Sequence, residues 1–254
     1  MDMNLKKDFL NRWGTYFPGA ELPFTFFWSH DLHGAQPAKE KKEWSCFICD
    51  LAQVRKGKSL AFTADALACA GAKRYLGFSD KLRPDFEYFL SYGLPGRVEG
   101  ERYIKTPEAV KKLTEGMPFL GIKEKYIIFK RWDALEASDE PEAAVFIAPI
   151  EVISGLYTLA NYAEDEPNGV ICPFGSGCSS IVYHPYVEQR YTHPRAVLGL
   201  FDPSARSCVP LGTLSFAVPM KKFTQMIRDM EESFLITPTW EAMMKRMKAG
   251  TKAG

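Results

Sequence analysis

Six cysteines, at positions 46, 49, 69, 172, 178 and 208, are the residues of this chain best suited to chemistry. Cys46-Phe-Ile-Cys49 is a C-x-x-C, a spacing used both for metal ligation and for dithiol redox work. Cys172-Pro-Phe-Gly-Ser-Gly-Cys178 is a C-x5-C, which is not a zinc-ribbon spacing. It reads as a turn from a strand into a short helix. Gly175 and Gly177 would let that turn be tight and leave N–H groups pointing outward. Cys178 then falls at a helix N-terminus, where the dipole favours a thiolate. The turn therefore suits three uses. Cys178 could act as a catalytic nucleophile. It could ligate a metal or cluster. Or Gly175, Ser176 and Gly177, with Arg195 or Arg206, could cradle an anionic small molecule or cofactor. Cys69 lies in Ala-Cys-Ala-Gly, whose small residues permit close approach of something bulky. Cys208 carries no functional reading. Each cysteine also has a plainer alternative, since a free thiol usually packs as a small hydrophobe.

Other chemistry is scarce. His30-x-x-His33 could supply ligands, but loop histidines are more often solvated. There is no G-x-S-x-G, Walker loop, H-E-x-x-H or dinucleotide fingerprint. Lys+Arg number 32 against 31 Asp+Glu, so the net charge is +1. That excludes nucleic-acid binding driven by excess cations. Apolar residues make up 46%, which excludes general disorder in 254 residues. The longest apolar run, Ala143–Ile150, is far short of the ~18 residues that span a membrane. The start, MDMNLKKDFLNRWG, lacks a signal-peptide core. The expectation is a cytoplasmic protein with no membrane and no nucleic-acid partner. Its cysteines should then be thiols or metal ligands rather than disulfides. The composition leaves room for a homo-oligomer.

The elements that must position these residues follow from periodicity. Leu5, Phe9, Trp13 and Phe17 predict an opening amphipathic helix, and Phe24–Ser29 a buried strand. Residues 30–43 read as a loop. Trp44–Lys56 reads as a helix with Trp44, Phe47, Ile48, Leu51 and Ala52 on its apolar stripe. On that helix Cys46 lies opposite the stripe and Cys49 about 60° from Cys46. Thr106-Pro107-Glu108 starts a helix that Gly116 closes. Strands are expected at 59–63, 126–130, 143–148, 169–172, 196–201 and 214–218. Helices are expected at 151–163, from Phe223 to Phe234, and at 237–250, followed by a frayed AGTKAG. The fold class is α+β, or α/β, with helices packed on a mixed sheet. The acidic ALEASDEPEA stretch resembles a linker. The chain is therefore one large domain, or two intimately packed subdomains meeting near 137–142.

Several segments carry a resemblance: WSC at 44–46, RKGKSLAFTADALACAGAKRYLGF at 55–78, PFGSGCSSIVYHPY at 173–186, PRAVLGLFDPSAR at 194–206 and LSFAVP at 214–219. Together they resemble the domain-of-unknown-function family 169, largely uncharacterised and common in anaerobic bacteria and archaea. The resemblance implies that Cys46, Cys69 and Cys178 occupy motif positions, whereas Cys49, Cys172 and Cys208 do not. One departure is Cys69-Ala70-Gly71, where the family would have Cys-Pro-Gly. Three cysteines from three segments suit a convergent site better than a redox dithiol.

The leading expectation is a metal or iron–sulfur centre on Cys46, Cys69 and Cys178, with Cys49, Cys172 or an exogenous molecule as fourth ligand. The alternatives are a thiol enzyme acting through Cys178 and an anion-binding module built on the Gly-rich turn. A structural or partner-binding role would use exposed aromatics such as Tyr183, Tyr186 and Tyr191.

Overall fold

Residues 143–148 are all buried, and this run explains the architecture. A strand whose two faces are both covered reads as continuously apolar rather than alternating. The computed structural model describes residues 1–41 and 43–250. In chain order these form α1 (Met3–Tyr16), β1 (Phe24–Ser29), β2 (Gln36–Pro37), α2 (Phe47–Arg55), β3 (Leu60–Phe62), α3 (Ala70–Tyr75), α4 (Phe86–Leu90), α5 (Pro107–Glu115), β4 (Tyr126–Arg131), β5 (Ala143–Pro149), α6 (Ile150–Asn161), β6 (Val170–Ile171), α7 (His184–Glu188), β7 (Ala196–Gly199), β8 (Thr213–Pro219), α8 (Met220–Asp229) and α9 (Pro238–Gly250). A π-helical turn, Ser179–Tyr183, precedes α7, and a 3-10 helix, Pro203–Cys208, follows β7.

Among the described residues the strands make an eight-stranded sheet in the order β2-β3-β4-β1-β5-β8-β7-β6. The β2–β3 and β6–β7 pairs are parallel. The central pairs are antiparallel. The fold is therefore α+β, with helices on both faces. Register sorts the side chains. Ala143, Val145 and Ile147 of β5 join Phe24, Phe26 and Phe129 on one face, under α2, α3 and the 177–188 helical stretch. Ala144, Phe146 and Ala148 join Phe216 and Val218 on the other, under α1, α6 and α8. Three aromatic rings, Phe9, Trp13 and Phe223, pack against Phe146 in that second layer, and Trp132 meets Phe9 and Phe223 edge-on. No described helix is long and apolar enough to cross a membrane.

Two expectations need correction. The acidic stretch is not a linker. β1 is hydrogen-bonded to β4 on one side and β5 on the other, so the sheet runs across residues 137–142. Asp139 within it is fully buried, accepting from Lys130 Nζ at 2.9 Å and from the Glu136 amide at 2.8 Å. His33 Nδ1 also lies 3.1 Å from this carboxylate. An acid from a stretch read as a linker is thus half of a buried ion pair. Second, α2 begins at Phe47, and Trp44 lies outside it, 73% exposed. Residues 251–254 of the tail expected to fray fall outside the described residues.

Candidate functional site

Cys46, Cys69 and Cys178 each stand where a helix begins. Cys46 is the residue before α2, with extended backbone. Cys69 stands in the same position before α3. Cys178 lies in the first turn of helical backbone that runs without a break over 177–188. Ser176 starts that stretch, its carbonyl accepting the Ser179 and Ser180 amides at 3.0 and 3.2 Å. Within it the Ser179–Tyr183 segment is wound as a π turn, with the His184 N–H reaching Ser179 O. Pro185 accounts for this: it has no N–H for the carbonyl of Ile181, and its ring crowds that turn.

Close packing brings these helix starts together. Gly177 is wedged between β7 and α2. A Cβ built there would lie 2.7 Å from Leu200 Cδ2 and 3.0 Å from Ile48 Cγ1. Gly175 is tight for a related reason, since its Cβ would meet Ser179 Oγ at 2.5 Å. Neither glycine has positive φ. The sequence argument expected conformational freedom here; the structure uses smallness instead. Leu200, by contrast, has φ of 64° and turns the chain sharply out of β7. That reversal aims Asp202 back toward Gly177, whose N–H stabilises the carboxylate.

The cysteines share one electrostatic neighbourhood with that carboxylate. Burial pushes the Cys178 thiol well above its ordinary value, and the charges of Cys69, Cys46 and Asp202 push the same way. Burial raises Cys46 as well, with Cys69 and Asp202 adding to it. The Ile48 and Cys49 amides favour its thiolate, though neither completes a capping hydrogen bond. Tyr75 is pushed up to about 12, mainly by burial, and it too feels Cys178 and Cys69. Asp202 is raised by burial, which outweighs the Gly177 amide and the Ser204 hydroxyl.

Cys178 is a buried thiol, 6% exposed, in surroundings that favour its protonated form. The dipole of the first turn is outweighed by desolvation and by neighbouring acids.

The other expected site residues fall elsewhere. Cys49 is not a free ligand: it forms a disulfide with Cys208 that ties α2 to the 3-10 helix. The fold brings their Cα atoms to 4.5 Å across a separation of 159 residues, which no local spacing could reveal. Cys172 is a free thiol exposed at the surface. Arg206 spends its guanidinium on the Leu200 and Thr213 carbonyls, at 3.2 and 2.6 Å. Arg195 pairs with Glu188 at 2.7 Å. Arg195 and the Arg206 Nη1 are thus engaged within the protein, and the Gly177 amide faces Asp202. Tyr183 is buried and Tyr186 half-buried, while Tyr191 is exposed. Asp202 was missed as a site residue. The signal that could have found it was its place in FDPSAR, an acid just ahead of a helix-starting proline.

Among the described residues, no three His, Cys, Asp or Glu side chains stand close enough to grip a single metal ion. Beside the cysteines lies a cleft of about 370 Å³ lined by Trp44, Asp65, Leu67, Ala68 and Lys73, among others. The family model described as uncharacterised ArCR, the domain-of-unknown-function family 169, matches residues 22–229. No curated protein and no solved structure matches the chain.

Proposed function

The chain belongs to the domain-of-unknown-function family 169, and we propose that it holds a cysteine-ligated metal centre, an iron–sulfur cluster in the first place, on Cys46, Cys69 and Cys178. The observation that carries this reading is a concentration of latent negative charge whose one named cation is engaged elsewhere. Three free thiols and one buried carboxylate act on one another. The cation acting on Asp202 is Arg206, whose Nη1 is held by two carbonyls. Ionising such a group unaided is costly, and a cationic centre would remove that cost. Burial raises the Cys46 and Cys178 thiols, so metal uptake there would release protons and strengthen as pH rises.

A single ion and a cluster make different demands on the sulfurs. A single Zn²⁺ draws every sulfur to about 2.3 Å from one point. In a cluster the thiolates bind different irons and stand further apart. Among the described residues no three donors stand close enough to grip a single ion. Soft sulfur donors select zinc, copper(I) or iron–sulfur centres over hard ions. The helix starts behind Cys46 and Cys178 would help to offset a cluster's negative charge.

The test is a variant series purified and reconstituted without oxygen. Cys46→Ser, Cys69→Ser and Cys178→Ser should each lose bound iron and sulfide, while Cys172→Ser keeps them. Equal metal content in all four variants would overturn the assignment.

A further inference from the structure

Away from the cysteines, on the other face of the sheet, we infer a separate binding site: the cavity between α6, α8 and the loop before β7 takes a small amine, whose ammonium group is held by Asp229. The cavity is about 330 Å³, within the range of small-molecule pockets. Lys222, Gln225, Met226 and Asp229 follow an i, i+3, i+4, i+7 spacing, which lays them along one wall of α8. Leu159 and Ala160 of α6 also line it, and with Met226 they form a buried apolar floor. His193 closes the side before β7.

Two opposite charges are buried along this wall. Lys222 is 7% exposed and Asp229 4%. The fold does not treat them alike. Lys222 Nζ is matched by Glu164, whose Oε1 lies 2.5 Å away. The Asp229 carboxylate has the uncharged Gln225 amide, with Nε2 donating to Oδ1 at 2.7 Å. Among the described residues no cation pairs with Asp229, and its Oδ2 accepts no hydrogen bond.

The position of Asp229 adds to the cost. It is the last residue of α8, and the C-terminal end of a helix carries partial negative charge that disfavours an anion. A buried carboxylate there without a cation is expensive, and this one lines a cavity. An ammonium group would satisfy the carboxylate and the helix end together. The cations of the same wall are already engaged, Lys222 with Glu164 and Lys221 with the Tyr191 carbonyl at 3.1 Å. The site therefore selects a positive group rather than an anion. The alkyl part of the ligand would lie on Leu159, Ala160 and Met226. Amino acids and diamines share this chemistry, an ammonium group on a short carbon chain.

The experiment is isothermal titration calorimetry of the full chain with putrescine, with L-alanine and, at equal ionic strength, with sodium butyrate. At least one amine should bind wild type, and butyrate should not. Tighter binding of putrescine assigns the site to diamines, and tighter binding of alanine to amino acids. Asp229→Asn, checked for folding by its melting curve, should bind the amine about tenfold to a hundredfold more weakly, the range set by one hydrogen bond to a charged group. Glu232→Gln removes an exposed acid beyond the end of α8 and should bind as wild type does. Ala163→Phe places a large side chain at the exposed rim of the cavity and should also abolish binding, so the test stands if Asp229→Asn does not fold. No binding of either amine at millimolar concentration, equal binding by wild type and Asp229→Asn, or binding of butyrate in place of the amines would overturn the assignment.

Discussion

Gly177→Ala is the sharpest test of how the site is assembled, because one methyl group would have to enter the joint between two elements. Its Cβ would lie 2.7 Å from Leu200 Cδ2 and 3.0 and 3.1 Å from two Ile48 carbons. Carbon atoms in contact sit about 3.5–4.0 Å apart, so both neighbours must retreat by several tenths of an ångström or more. Neither has room. Leu200 is 1% exposed and held at φ of 64°, and Ile48 is 2% exposed in the core. Overpacking of this kind costs about 1–3 kcal/mol. At this chain length that is a fall in Tm of roughly 2–12 °C. Thermal or urea unfolding of the metal-free protein reads it directly. Gly14→Ala is the control: that glycine lies inside α1 with nothing within 4 Å of its Cβ, so alanine should stabilise by about 0.5–1 kcal/mol. Gly177→Ala should also weaken iron retention, since it pushes Cys178 away from α2. A Gly177→Ala protein as stable as wild type, with the same metal content, would refute the packing argument.

Three further outcomes follow from the buried groups. His184 is pushed down to about 4 from an ordinary 6.5, chiefly by burial. Below pH 6.5 the unfolded chain therefore takes up a proton that the folded chain refuses. Stability contributed by the neutral ring is full above 6.5 and falls as pH drops to 4, by roughly 3 kcal/mol in total. Unfolding titrations of wild type against His184→Phe should show that slope only in wild type. Asp139→Ala leaves the buried Lys130 with only the longer Glu136 contact at 3.9 Å, and should cost about 3–5 kcal/mol in urea unfolding, whereas replacing both Lys130 and Asp139 by apolar residues should recover most of it. Cys208→Ser opens a disulfide closing 159 residues. It should cost about 2–5 kcal/mol by equilibrium unfolding under oxidising conditions, with little further loss on adding a reductant.

Much of the scaffold was legible because local signals and burial agree. β1 occupies the predicted Phe24–Ser29. α5 starts at Pro107 with Thr106 Oγ1 accepting the Ala109 amide, and Gly116 closes it. β5 and β8 lie within a residue of their predicted ends. Short helices were not legible: α3 has six residues and α4 five, too few to show a period. The same limit misplaced Cys46 inside a helix that it only precedes. At the site, three cysteines could be picked out, but everything set by long-range geometry was hidden. Cys49 meets Cys208 only through the fold. Asp202 becomes unusual only because Leu200 turns it inward. The direction of the Cys178 shift depends on burial beside other acids, which the Gly-rich turn does not disclose. Asp139 shows the same lesson away from the site, since its partners Lys130 and His33 come from other segments.

The measurement that bears most directly on the account is iron and sulfide analysis, with an absorption spectrum, of the full chain purified without oxygen. The account predicts brown protein with roughly four iron and matching sulfide per chain, and loss of both in Cys178→Ser. A colourless, folded protein that takes up neither iron nor sulfide, even after anaerobic reconstitution, would contradict it.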